Sequence, residues 1–303
     1  MTALVTGSAG GIGRAIVTKL RAEGFDVKEL DLVSGFDVSD PEAWEHIGSV
    51  DLACLNAGVL TGSDDIAALT DEQYRRAVGV NVDGVVYGVR RLDRVMPKGS
   101  TIVVTASLAG LVGIPDDPVY GLTKHAVVGF VRSVAPQLAE RGIRIQAVCP
   151  GWADTALTPP EFKQELESRG FRLLTAEAVA EGVWAAYESE GTGEAWIVQP
   201  GREPLPYEFK GVPGLGGHGP HAARVQAGAR VARVPPALGR CGRRGRLGRV
   251  RERGHGRGVD RPARPRAPRL RVQGSPRTAL ISRAWASEQA SRSRCPPAFV
   301  HAD

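Results

Sequence analysis

Cysteine is scarce and scattered. Cys54, Cys149, Cys241 and Cys295 are the only four in 303 residues, with no C-x-x-C pair and no clustering with histidine. A disulfide framework and a zinc site are therefore not expected, and a reduced, cytoplasmic setting is. Long apolar runs are missing as well: none approaches the ~20 residues that a membrane-spanning helix needs. Met1 leads at once into "ALVTG" (Ala3–Gly7), which leaves no room for the charged and apolar regions of a secretory leader. No membrane partner is expected.

Lysine is absent from residues 211–303, which hold 20 Arg and four acidic side chains. Their net charge of +16 exceeds the +6 of the whole chain, so residues 1–210 carry −10 and the basic balance belongs to the tail. Only 15 Val, Leu, Ile or Phe occur in that tail, below the roughly 20% under which a charged segment rarely buries enough apolar surface to fold. Disorder is expected there. Arg and Gly alternate in "CGRRGRLGRVRERGHGRG" (Cys241–Gly258) as they do in segments that grip nucleic acid, but no Phe, Tyr or Trp lies between residues 210 and 285 for bases to stack on. Selective nucleic-acid binding is not expected. Arg without Lys, amid Gly, Ala and Pro, is what a GC-rich gene yields after a frameshift, here from about residue 212; a quiet extension and a nonspecific nucleic-acid contact are the other readings. The organisation expected is a folded domain over 1–201 and a low-complexity Arg/Gly/Pro-rich tail over 202–303.

Upstream, short β-rich runs alternate with helix-length amphipathic segments. The runs "TALVTG", "DVKELDL", "DLACLNAG", "STIVVTAS", "IRIQAVCPG" and "AWIVQPG" are separated by predicted helices over 11–23, 41–47, 71–96, 120–141 and 176–189. Strands joined through helices imply a parallel sheet with helices on both faces, a doubly wound α/β (Rossmann) fold in a single domain. Ligands in such folds sit beyond the carboxyl ends of the strands.

The informative motifs all lie there. After the first strand, "TGSAGGIG" brings Gly7, Gly11 and Gly13 to the opening of a helix, where the backbone can approach a pyrophosphate and free N–H groups can receive it. Asp31 ends the second strand 18 residues after Gly13, near the ~20-residue offset at which a carboxylate meets the adenosine ribose of NAD and repels the 2′-phosphate of NADP. Arg14, the one basic residue near the loop, leaves NADP open. Tyr120 and Lys124 stand four apart at the start of a predicted helix and share a face. A nearby ammonium would lower the phenol from its ordinary pKa of about 10 and make Tyr120 an acid/base, with Ser107 holding the substrate oxygen.

In order and spacing, "TGSAGGIG", Asp37-Val38, "LNAG" at Asn56–Gly58, "VNVDG" around Asn81, Ser107, Tyr120-x-x-x-Lys124 and "CPG" at Cys149–Gly151 resemble the short-chain dehydrogenase/reductase family, from Met1 to about Gly201. Residues 107–151 look most like members oxidising hydroxyprostaglandins and hydroxysteroids. The resemblance implies hydride transfer between NAD, or NADP, and a small secondary alcohol or ketone, in a homodimer or homotetramer formed through the 71–96 and 120–141 helices. It implies that Gly7, Ser8, Gly11, Ile12 and Gly13 hold the pyrophosphate and Asp31 the ribose, while Asp37 and Val38 flank adenine. Asn56, Ala57 and Gly58, with Pro150 and Gly151, would support the cofactor, and Thr155 would meet the nicotinamide amide. Tyr120 would be the acid/base, Lys124 would bind the nicotinamide ribose and tune it, Ser107 would orient substrate and Asn81 would order a relay water. Leu55 departs from the family's usual Asn. Asp117, three before Tyr120, reads either as a solvated loop residue, with Asp116, or as a substrate contact. A cofactor-binding scaffold without turnover and an epimerase-type relative are the competing readings; the latter would need a folded C-terminal substrate domain.

Overall fold

Each apolar run becomes a strand in the computed structural model, which describes residues 1–210. They are β1 (Thr2–Thr6), β2 (Asp26–Leu30), β3 (Leu52–Leu55), β4 (Thr101–Thr105), β5 (Arg144–Pro150) and β6 (Ala195–Val198), all parallel. Every residue of β3 and β4 is buried, as strands covered on both faces require. Alternation along β1 sends Leu4 to one layer and Ala3 and Val5 to the other. On the first side lie Trp44, Val89, Leu92, Val127, Val131 and Leu138, from α2 (Pro41–Glu45), α4 (Gly84–Val95) and α5 (Pro118–Glu140). On the second lie Ile16, Leu20, Val179 and Val183, from α1 (Gly11–Ala22) and α7 (Ala176–Glu188). The doubly wound expectation holds.

The strand order is β2-β1-β3-β4-β5-β6, with β7 (Leu205–Pro206) at the β6 edge. From β1 the chain steps outward to β2, then returns to place β3 on the opposite side, so the switch point lies between β1 and β3. The glycine-rich loop and Asn56–Gly58 flank it.

Three differences from the sequence reading bear on the site. The helix over 71–96 is not uniform: α3 (Asp71–Val78), capped by Thr70 with Gln73 answering it, passes through a π-turn at Gly79–Asp83 into α4. Asn81 sits in that turn, a type of bulge that often marks functional positions. A short helix not expected, α6 (Pro160–Ser168), follows β5. The sheet also continues beyond Gly201, where the domain was expected to end: β7 (Leu205–Pro206) pairs antiparallel with β6, and the N–H of Tyr207 donates to the Ala195 carbonyl. The guanidinium of Arg132 on α5 stacks on the Phe209 ring, 3.7 Å from its centroid, and fastens this strap. Among the described residues no helix is long and apolar enough to cross a membrane. The expectations of disorder, frameshift and nucleic-acid contact from residue 211 onward lie outside the described residues.

Candidate active site

Gly7 leaves β1 with φ +65, a conformation that favours glycine. A Cβ on Gly13 would stand 2.0 Å from the Gly7 carbonyl oxygen, so α1 starts flush against the loop. The N-cap of α1 is Gly10, no side chain caps it, and no acidic residue occupies its first turn. This is an electropositive helix end framed by glycines, and it fits the pyrophosphate of a dinucleotide. Thr155 lies across it, its methyl 3.0 Å from where a Cβ on Gly11 would be.

Asp31 caps the turn after β2. Its Oδ1 accepts from Val33 N–H at 3.1 Å and its Oδ2 from Ala9 N–H at 2.9 Å, which ties the carboxylate to the glycine-rich loop. Asp37 is exposed and accepts from the Ser39 hydroxyl at 2.7 Å. Val38 is buried against α4 at Gly84, and its carbonyl accepts from Trp44 Nε1. Asn56 donates to the carbonyls of Thr6 and Gly7 and accepts from the Thr105 hydroxyl. The Thr6 hydroxyl in turn accepts from the N–H groups of Asn56 and Ala57. Leu55 is buried beside Gly88 of α4, which explains why a leucine is accommodated there. Ser8 is buried and Ile12 half-buried against the α1/α7 layer. Gly151, after Pro150, donates to the Val198 carbonyl and fixes the end of β5.

Ser107, Tyr120 and Lys124 converge beyond the carboxyl end of β4. Ser107 caps the turn Leu108–Gly110, its hydroxyl accepting from Ala109 N–H. The turn presses on α5 so closely that a Cβ on Gly110 would lie 2.6 Å from the Lys124 carbonyl oxygen. Lys124 is buried, donates to the Thr105 carbonyl at 2.9 Å, and places Nζ 5.5 Å from the centroid of the Tyr120 ring. Gly58 fits between them and Asn81: its absent Cβ would be 3.4 Å from both Lys124 Nζ and Asn81 Oδ1. The Asn81 carboxamide accepts from Val59 N–H and donates to the Val59 carbonyl and the Thr123 hydroxyl. Both of its amide hydrogens are thus spent on protein.

The electrostatics correct one expectation. Burial pushes Tyr120 up to about 12; a hydrogen bond with Ser107 opposes this, while Asp117 and Cys149 reinforce it. The lowering foreseen from Lys124 does not contribute; desolvation sets the direction. The same burial pushes Lys124 down to about 8. The fold therefore favours the neutral amine, and the wild-type chain gains stability as pH rises from about 8 towards 10.5. Lys124→Met cannot titrate, so its stability relative to wild type should be greatest below pH 8 and decline as pH rises. The linkage term is about 3 kcal/mol at 1.36 kcal/mol per unit, offset by about 1–3 kcal/mol for orphaning the Thr105 carbonyl. Urea denaturation at pH 7 and pH 10 reads this; an equal difference from wild type at both would contradict it.

Asp117 is the second correction. It is neither a solvated loop residue nor free to bind substrate: it is 6% exposed and caps α5, accepting from Tyr120 N–H and from Thr61. Asp116 beside it is exposed. Sequence reasoning missed Thr6, Thr61, Thr105, Thr123 and Gly110, which position the residues it found. The only local signals were a glycine closing "SLAG" and threonines at strand ends.

Residues 37–181 match a family model described as Enoyl-(Acyl carrier protein) reductase. The chain is 30% identical over 208 residues to a 3beta-hydroxysteroid dehydrogenase of Mediterraneibacter gnavus, covering 59% of this chain and 73% of that protein. It is 32% identical over 222 residues to 2-(R)-hydroxypropyl-CoM dehydrogenase of Xanthobacter autotrophicus, covering 60% and 88%. Among solved structures, a short-chain dehydrogenase from Burkholderia cenocepacia in complex with NADP matches with a TM-score of 0.58 at 26% identity, over 65% of this chain and 95% of that one. A short-chain dehydrogenase/reductase from Brucella melitensis matches at 0.60 and 28%, over 66% and 95%.

Proposed function

Because this chain belongs to the short-chain dehydrogenase/reductase family, we propose that it transfers a hydride between a nicotinamide cofactor and a secondary alcohol or ketone, with Tyr120 as the acid/base. The observation that carries this reading is the convergence of Ser107, Tyr120 and Lys124 beyond β4, in the same sheet end as the glycine cradle after β1. When bound, the nicotinamide supplies or accepts the hydride.

The chain's own residues do the rest. Gly7, Ser8, Gly11, Ile12 and Gly13 hold the pyrophosphate, Asp31 the ribose, and Asp37 and Val38 the adenine. Asn56, Ala57, Gly58, Pro150, Gly151 and Thr155 line the nicotinamide side. Ser107 orients the substrate oxygen by hydrogen bonding. Tyr120 takes the hydroxyl proton during oxidation and returns one during reduction, and Lys124 beside it passes that proton on. Asn81 acts through its fixed place in the π-turn, the water in the relay falling to main-chain groups because its side chain is engaged.

NAD is the preferred cofactor in this reading, since the Asp31 carboxylate faces the adenosine end. Asp31→Asn removes the charge and keeps a capping oxygen, so it should narrow the NAD-over-NADP preference in kcat/KM by about tenfold, the scale of one like-charge contact. Initial rates with each cofactor check it, and an unchanged ratio rejects Asp31 as the discriminator. Assembly as a homodimer or homotetramer through α4 and α5, in the cytoplasm, completes the proposal; light scattering reads the assembly. The decisive experiment is NAD- and NADP-dependent turnover across a panel of secondary alcohols and ketones. Cofactor binding with no turnover on any of them would favour a scaffold.

A further inference from the structure

We propose that Asp117 is a positioning residue: it latches the loop after β3 onto the first turn of α5, and its charge, facing Tyr120, helps to set where turnover rises with pH. The second half rests on the acid/base reading of Tyr120; the first does not.

The carboxylate is buried and its two oxygens receive four donors. Oδ1 accepts from the Thr61 hydroxyl at 2.6 Å and from Tyr120 N–H at 2.9 Å. Oδ2 accepts from the N–H groups of Thr61 at 2.8 Å and Gly62 at 3.3 Å. Only an acceptor without hydrogens of its own satisfies such a set, and an ionised one makes it strong. The joined segments are 56 residues apart in sequence.

This loop is otherwise strapped from the α3 side. Val59 is held by Asn81, the Leu60 carbonyl accepts from Arg76 and the Thr61 carbonyl from Gln73. Asn81 also donates to Thr123 on α5. Tyr120 therefore lies between two ties that cross from α5 to the same loop, Asp117 to Thr61 before it and Thr123 through Asn81 to Val59 after it. Cutting the first frees the turn that aims the phenol, while the glycine cradle, built from β1, α1 and Asn56, stays as it is.

The charged and titratable groups facing Tyr120 are few. Lys124 lies over its ring from α5, Cys149 approaches from β5 with its thiol pushed up to about 12 by burial, and Asp117 stands at the helix start. Asp117 is the anion among them and opposes phenolate formation. Asparagine at this position would keep an oxygen for Tyr120 N–H but turn its NH2 towards the N–H groups of Thr61 and Gly62. Both main-chain ties of the strap would be lost and the charge would go, while the Thr61 hydroxyl tie and the helix cap stay on the retained oxygen.

The test uses the full chain with NAD and a turned-over secondary alcohol, together with hydrogen exchange of residues 59–63 in the free protein. Asp117→Asn should speed exchange at Thr61 and Gly62 by about tenfold or more. It should also lower kcat by roughly 10–100-fold, the cost of a misplaced acid/base, and move the rising limb of the oxidation profile to lower pH, with cofactor Kd unchanged within about twofold. Thr61→Ala removes the hydroxyl tie while the main-chain N–H ties and the charge stay, so exchange at Gly62 should rise by less than in Asp117→Asn and kcat fall with the limb unmoved. Unchanged exchange in both variants overturns the latch. A limb unmoved in Asp117→Asn, or moved equally by Thr61→Ala, overturns the charge effect. If Asp117→Asn does not fold, Thr61→Ala decides the latch alone. If the wild-type chain oxidises no alcohol, the reading of Tyr120 falls while exchange still decides the latch.

Discussion

Replacing Tyr120 with Phe should lower turnover of a secondary alcohol by about 10³-fold or more, near the upper range for removing a positioned acid/base. Thermal stability and cofactor Kd should stay close to wild type, because the ring stays buried under Lys124 and the lost hydroxyl bond, to Ser107, ends at a surviving hydroxyl that can turn elsewhere. Burial holds Tyr120 near 12 and Lys124 near 8, so at pH 7 the pair keeps its protons. Alcohol oxidation needs the phenolate and should accelerate as pH rises above neutrality; ketone reduction needs the phenol proton in place and should slow over the same window. Both limbs should disappear into a flat residual rate in Tyr120→Phe. Near-normal turnover in that variant, or oxidation that slows with rising pH, would remove Tyr120 from the chemistry.

Much of this site was legible because its parts are short-range. The glycines of "TGSAGGIG" act within one turn, and Tyr120 and Lys124 share a face of α5 by their spacing alone. What escaped depends on distance or on burial. The role of Asp117 is set by Thr61, which no local spacing relates to it. The π-turn at Gly79–Asp83 sits inside a continuous helical segment, and it places Asn81 within reach of Val59 and Thr123. Helix α6 announces itself with Pro160 at its start and Gly170 at φ +80 just beyond its end, but it buries only Leu166 and so lacks an apolar stripe. β7 is a two-residue edge strand held by backbone pairing, a kind of interaction that side-chain pattern does not encode. The sign of the Tyr120 shift was misjudged because spacing reveals a neighbouring ammonium and not the desolvation that both groups undergo.

Gly13→Ala should be the most damaging substitution in the cofactor cradle. The added Cβ would sit 2.0 Å from the Gly7 carbonyl oxygen, 2.8 Å from its carbon and 2.9 Å from Ser8 Cα. These are backbone atoms, and Gly7 is itself held by Asn56, whose amide donates to the Thr6 and Gly7 carbonyls and whose oxygen accepts from Thr105. The clash cannot be relieved by a rotamer change. The loop must move as a body against β3 and β4, which places the cost at or above the ~1–3 kcal/mol usual for overpacking. The displaced N–H groups should weaken cofactor binding by about 100-fold or more, the penalty of a misplacement near 1 Å. Gly11→Ala provides the contrast, since its Cβ would meet the Thr155 methyl at 3.0 Å, which can turn away, and Thr155 Cβ at 3.2 Å, which a small shift of that residue relieves. Its stability should change by less than about 1 kcal/mol, while cofactor affinity falls because Thr155 has left the cradle. Chemical denaturation and cofactor titration of the two variants separate the effects. Equal stability losses would mean that the Gly7–Gly13 contact is not what fixes the loop.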